Sequence, residues 1–212
     1  MSKFRRYFVK AVISNYPKTG EVIITKTDKQ YKSIALDTSF VRDSKNPLDK
    51  RLDFCSYFLA FIKTLDEHGE DFETIRTICL EITEDYIRPK NIVQAFIKRQ
   101  LPKLTNTWLS AQLFKVLNRK ISNNENPQGF IAKIITDKKE TYGFGYGIDI
   151  LECGICKLFK KHNYQNYTSI LCEVDKLTSE LSGLQLLRTG TIAKGAKKCD
   201  FRFKRLNTTK TE

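Results

Sequence analysis

The chain has 212 residues, with 37 Lys+Arg against 24 Asp+Glu and a net charge of +13. A hydrophobic share of 41% and an aromatic share of 11% exclude a disordered or fibrous chain, and no apolar run reaches the ~18 residues that would span a bilayer. The two histidines, His68 and His162, are too few for a metal site built mainly from imidazole.

The opening Met-Ser-Lys-Phe-Arg-Arg is positive, but the next residues alternate apolar with polar and include Lys10. That is not the apolar core of a secretion signal, so a cytoplasmic protein is expected. Phe4, Phe8, Ala11 and Val12 predict a short amphipathic helix over 3–15, closed by the turn residues Tyr16-Pro17-Lys18-Thr19-Gly20. A second helix is read over 26–36. Asn46-Pro47 opens a third, from about Leu48 to His68, with Leu52, Cys55, Phe58, Leu59, Ile62 and Leu65 as its stripe and Gly69 at its αL end. Asp71 then serves as N-cap for a helix over 72–87, which Pro89 breaks.

Residues 91–120 read as one helix kinked at Pro102, or as two. After the loop 123–129 the character changes from helix to strand. A strand is expected over 130–136 and a turn over 137–140. Tyr142, Phe144, Tyr146, Ile148 and Ile150 then alternate with Thr141, Gly143, Gly145, Gly147 and Asp149. The nearly bare glycine face of this strand would let another backbone or a ligand approach closely. Helices over 154–162 and 167–181 precede a second hairpin, 184–193 with 198–205, whose turn holds Gly195. This order predicts an α+β fold: an N-terminal helical layer packed on a C-terminal antiparallel sheet of about four strands, two hairpins with helices between them. We read residues 1–206 as one domain and 207–212 as a polar tail.

The positive charge is segregated. Residues 86–124 carry eight basic groups and no acid, and residues 188–212 carry eight more against Asp200 and Glu212. Such patches attract anions. No helix-turn-helix, zinc-finger spacing or aromatic RNA-binding signature accompanies them, so nucleic acid is not the expected partner.

Six cysteines without a secretion signal point to free thiols. Cys55 and Cys79 lie on apolar stripes and read as core. Cys153, Cys156, Cys172 and Cys199 fall in the last sixty residues. The Cys-x-x-Cys at 153/156 raises zinc or iron–sulfur binding, but a second close pair is missing, and no metal or cofactor is expected. Thr168, Cys172, Asp175 and Ser179 recur at steps of four, three and four and share one helical face. Cys199 alternates with Phe201 and Phe203, facing inward. Arg188 shares a face with Leu184 and Leu186, where a guanidinium calls for an anionic partner, either Asp175 or a ligand carboxylate.

Four segments now stand in order: Gly147-Ile-Asp-Ile-Leu-Glu-Cys-Gly-Ile155, Cys172-Glu-Val-Asp175, Arg188-Thr-Gly-Thr-Ile-Ala-Lys-Gly195 and Cys199-Asp-Phe-Arg-Phe203. Together they resemble the C-terminal signature of the L-2-amino-thiazoline-4-carboxylic acid hydrolase family. Asn46-Pro-Leu-Asp-Lys-Arg-Leu52 is similar in a weaker way. The resemblance implies a small cytosolic enzyme that opens a thiazoline ring to give N-carbamoyl-cysteine. Asp175 would activate water or hold a proton. Cys172 or Cys199 would be the nucleophile if the reaction is covalent. Arg188 would clamp the substrate carboxylate, Thr189 and Thr191 would supply hydroxyls, and Gly195 would offer backbone N–H groups to developing charge. Cys153 joins this binding set.

The expected partner is thus a small anionic substrate, with no membrane and with homo-oligomerisation left open. The alternative is a non-catalytic small-molecule-binding or sensory domain. A hydrolase requires Asp175, Arg188 and Cys199 to converge on one concave pocket.

Overall fold

The computed structural model describes residues 4–88, 108–123, 125–142 and 146–205. The kink at Pro102, the strand positions 143–145 and the polar tail lie outside the described residues. Helices come first: α1 (Arg5–Asn15), α2 (Gly20–Asp37), α3 (Arg51–Asp66), α4 (Phe72–Ile87) and α5 (Trp108–Ser122). Strands β1 (Ile131–Ile135) and β2 (Tyr146–Glu152), helices α6 (Gly154–Lys161) and α7 (Thr168–Leu181), and strands β3 (Leu184–Leu187) and β4 (Cys199–Arg205) follow. The fold is α+β.

Helix α3 is the centre of the helical layer. An unbroken run from Cys55 to Ile62 is buried, so this helix is covered on all sides rather than along one stripe. Phe8 of α1 packs edge-on against Tyr57, Phe58 and Phe61, with ring centroids 4.7, 4.9 and 5.3 Å away. Each such fully buried side chain contributes roughly 1.5–3 kcal/mol. Asp71 caps α4 as its position predicts, accepting the Thr74 N–H at 2.8 Å. Helix α2 is longer than the sequence reading, beginning at Gly20.

The sheet runs β1-β2-β4-β3, antiparallel throughout. Ile148 pairs with Phe201 and Ile150 with Cys199, so one face carries the apolar side chains of both central strands. Strand β2 starts later than the alternation suggested. Asp137 accepts the N–H groups of Lys139 and Glu140, the turn continues through Thr141, and Tyr142 sits exposed with φ +53°.

At Gly147, the described glycine on the glycine face of β2, both the backbone of the neighbouring strand and one of its side chains come close. A Cβ there would lie 2.7 Å from the Phe201 carbonyl oxygen and 2.7 Å from Arg202 Cδ. The Arg202 guanidinium fills that space, donating to Asp149 at 2.8 Å and to the Glu140 carbonyl at 2.7 Å.

Two ties join the N-terminal helices to the C-terminal half, one at the start of β1 and one at α7. Asn46 Nδ2 donates to the Phe130 carbonyl at 2.9 Å, and the Phe130 N–H donates to Asp49 at 2.8 Å. Arg76 of α4 donates to Glu173 of α7 at 2.9 Å. Asp49 is buried, so Asp49→Ala leaves the Phe130 N–H unsatisfied. A loss of about 1–3 kcal/mol in denaturant unfolding is the expected result.

Candidate active site

The ties around Asn46 and Asp49 bring the first residue of α3, Arg51, over the apolar face of the sheet. There it meets the start of α6 and the inner face of α7 in a small cleft. Ile150, Cys199 and Phe201 supply the sheet wall, Cys153 and Cys156 come from α6, and Thr168, Cys172 and Asp175 from α7. The Thr168/Cys172/Asp175 face predicted from helical spacing therefore forms one side of the cleft. About 20 Å³ of it is open to the centre of a water molecule, enough for roughly one water.

Arg51 makes a close ion pair with Asp175. The Arg51 guanidinium is held protonated chiefly by the charge of Asp175, against the opposing effect of burial. Arg51 is 39% exposed and Asp175 14%, so the arginine is the outer member of the pair. Of the two anionic partners expected for Arg188, Asp175 is already paired with Arg51. The Arg188 guanidinium lies 5.2 Å over the ring of Phe201, and Nη2 donates to the Cys172 carbonyl at 3.3 Å. Nη1 is buried with no hydrogen-bond partner among the described residues, and the same holds for the hydroxyls of Thr168 and Thr191. Of these three unsatisfied groups the Thr168 hydroxyl belongs to a residue that lines the cleft, and Arg188 reaches the cleft wall through the Cys172 carbonyl and the Phe201 ring. An unsatisfied buried group is the condition a polar ligand relieves.

The four clustered thiols are not equivalent. Burial pushes Cys172 up to about 12 and Cys199 up to about 11; for Cys199 the Ile192 N–H, 3.2 Å from Sγ, pulls the other way. Cys153 moves in the opposite direction. It is the N-cap residue of α6, and the Cys156 thiol together with the N–H groups of Cys156 and Ile155 holds its thiol below the usual range, although no cap hydrogen bond of full geometry closes. Cys156 is correspondingly pushed well up, first by Cys153 and then by burial. Cys55, beneath Arg51, is buried and raised to about 12. The thiol with most thiolate character is therefore Cys153, which the sequence had placed among the binding residues.

A model of the L-2-amino-thiazoline-4-carboxylic acid hydrolase family matches residues 50–203. The chain belongs to this family. The matched span begins one residue before Arg51 and ends two after Phe201, so the family region contains every residue that lines the cleft. No curated protein and no solved structure matches this member of the L-2-amino-thiazoline-4-carboxylic acid hydrolase family.

The remaining candidates, Thr189, Thr191 and Gly195, are not among the residues that line the cleft. Thr189 is exposed; its N–H donates to Asp200 at 3.0 Å, the Gly190 N–H does so at 2.9 Å, and the Thr189 hydroxyl binds the other oxygen. Burial raises Asp200, but the Thr189 hydroxyl and these N–H groups outweigh it and hold the carboxyl low. Asp200 thereby fixes the turn that carries Arg188 and Thr191. Gly195 is left-handed with φ +86° and its N–H is used by the Ile192 carbonyl. Among the described residues no group of three or more His, Cys, Asp or Glu is placed to hold a metal ion, and no helix is long and apolar enough to cross a membrane.

Two cleft residues escaped the sequence reading. Arg51 was named only within the Asn46–Leu52 segment, and its role rests on a contact across 124 positions. Thr168 was seen on the right face but given no task.

Proposed function

We propose that this protein hydrolyses 2-amino-thiazoline-4-carboxylate, or a close carboxylate-bearing relative, to N-carbamoyl-cysteine. The observation that carries the reading is the meeting of Asp175 and Cys153 in one apolar cleft, with Arg188 bonded to the Cys172 carbonyl and resting on the Phe201 ring at its wall, Nη1 unpartnered among the described residues. Membership of a family that bears this substrate's name supports it.

Arg188 binds the substrate carboxylate, and the hydroxyl of Thr191 adds a hydrogen bond from the same turn. Cys153 attacks the ring carbon between sulfur and nitrogen. A bond from Sγ to that carbon forms, the ring C–S bond breaks, and the substrate sulfur leaves as thiolate and takes a proton. Water then adds to the same carbon and passes a proton to Asp175, and Cys153 departs, leaving a urea. Arg51 positions Asp175. Because the closed cleft has room for about one water, admission of a ring requires the more exposed Arg51 side chain to swing off Asp175.

The direct test is incubation of the full chain with 2-amino-thiazoline-4-carboxylate, with and without a chelator, following release of free thiol. Thiol release that is indifferent to chelator is expected; no release would remove this substrate. In the same assay Arg188→Ala raises KM by about 10–100-fold, as for one lost charge-assisted contact. Asp175→Asn lowers kcat by about 10²–10⁴-fold. Full turnover in both variants would overturn the assignment.

A further inference from the structure

Cys153 and Cys156 present a second chemistry that the hydrolysis does not use. Cys153 is the N-cap of α6 and Cys156 stands three residues on, in the first turn. The two thiols are close enough for a side-chain hydrogen bond to join them. Both are half-buried, whereas Cys55 and Cys79 are sealed in the core. Both line the cleft, and so does the buried, unpartnered hydroxyl of Thr168. Cys153 sits at the start of α6, and a helix start stabilises negative charge there.

We propose that Cys153 and Cys156 form a thiol–disulfide exchange site that accepts small-molecule disulfides carrying a carboxylate. The Cys153 thiolate attacks one sulfur of the disulfide, forming a mixed disulfide and releasing one thiolate of the small molecule. Cys156 then gives up its proton and attacks Cys153 Sγ, forming the Cys153–Cys156 bond and releasing the second thiolate. The two protein thiols are oxidised together and one small disulfide is reduced to two thiols, so electrons balance. Arg188, with Nη1 unpartnered beside the cleft, supplies the anion contact. Cys172 and Cys199 lack the first step, because their thiols are pushed up by burial.

The exchange rests on the same Cys153 and Arg188 as the proposed hydrolysis, but its readout needs no turnover. The folded, reduced full chain is treated with cystine, quenched with an alkylating agent and analysed by intact mass and peptide mapping. The native chain should lose two hydrogens, with Cys153 and Cys156 protected together, and recover both thiols on reduction. Cys156→Ser should stop at one cysteinyl adduct on Cys153, and Cys153→Ser should show neither product. Cys153 should react at least about tenfold faster than Cys172 or Cys199, each tenfold corresponding to one unit of thiol acidity. A disulfide or first adduct at Cys172 or Cys199, a persistent adduct on Cys153 in the native chain, or a folded chain inert to cystine overturns the proposal. If hydrolysis fails while this pattern holds, only the functional assignment falls; if both hold, oxidation stops turnover until reductant is added.

Discussion

Cys153→Ser should lower turnover of 2-amino-thiazoline-4-carboxylate by on the order of 10³-fold or more, with the protein fully folded. Serine is among the favoured N-cap residues, so α6 keeps its start, while a hydroxyl at that position is a far weaker acid than the thiol it replaces. Cys172→Ser and Cys199→Ser should change turnover far less. With thiols at about 12 and about 11, only about one in 10⁵ and one in 10⁴ of them is ionised at neutral pH. The pH profile gives the sign. The Cys153 thiol is held low by Cys156 and the helix start, so activity should rise with pH through a midpoint below that of an ordinary thiol, and Cys153→Ser should abolish that limb. Circular dichroism separates the outcome from misfolding. Equal losses in all three serine variants would show that the thiols matter only for packing.

Asp149→Ala should destabilise the fold by about 3–5 kcal/mol in denaturant unfolding. Asp149 and Arg202 are both buried, at 5% exposure each, and bond at 2.8 Å, with Lys198 adding a second cation at 2.5 Å. Removing the carboxylate strands a guanidinium behind Gly147, where the only other acceptors among the described residues are the carbonyls of Glu140 and Phe201. An uncompensated buried charge costs more than the pair contributes, so Asp149→Ala combined with Arg202→Met should recover most of the loss. A single variant that unfolds within about 1 kcal/mol of the parent would mean that water reaches the pair, as it does a surface salt bridge.

The sequence is most legible where physics is local. The period of 3.6 located the helices, Asp71 announced its own capping role, and steps of four and three put Thr168, Cys172 and Asp175 on one side of α7. Alternation likewise turned Cys199 and Phe201 toward the core. What was not legible depends on which distant groups meet. Asp175 carries no mark that its partner lies 124 positions earlier, and Arg188 carries none that it will rest on a ring and a carbonyl. Gly147 reads as an opening in the sequence, where nothing marks that the Phe201 carbonyl and the Arg202 side chain of the neighbouring strand occupy it. Ranking four thiols required knowing which one begins a helix and which are merely enclosed, since composition treats them alike.

The tie from Asn46 and Asp49 to Phe130 spans more than 80 positions, and the ion pair beyond it spans 124. Closures of this length come late, since their chain entropy is lost before the contact is gained. The helical layer can assemble from neighbours in the chain, but the cleft has no meaning until the last strands arrive. A refolding chain should therefore recover its helical signal first, and the distinct reactivity of Cys153 should mark the final step of maturation.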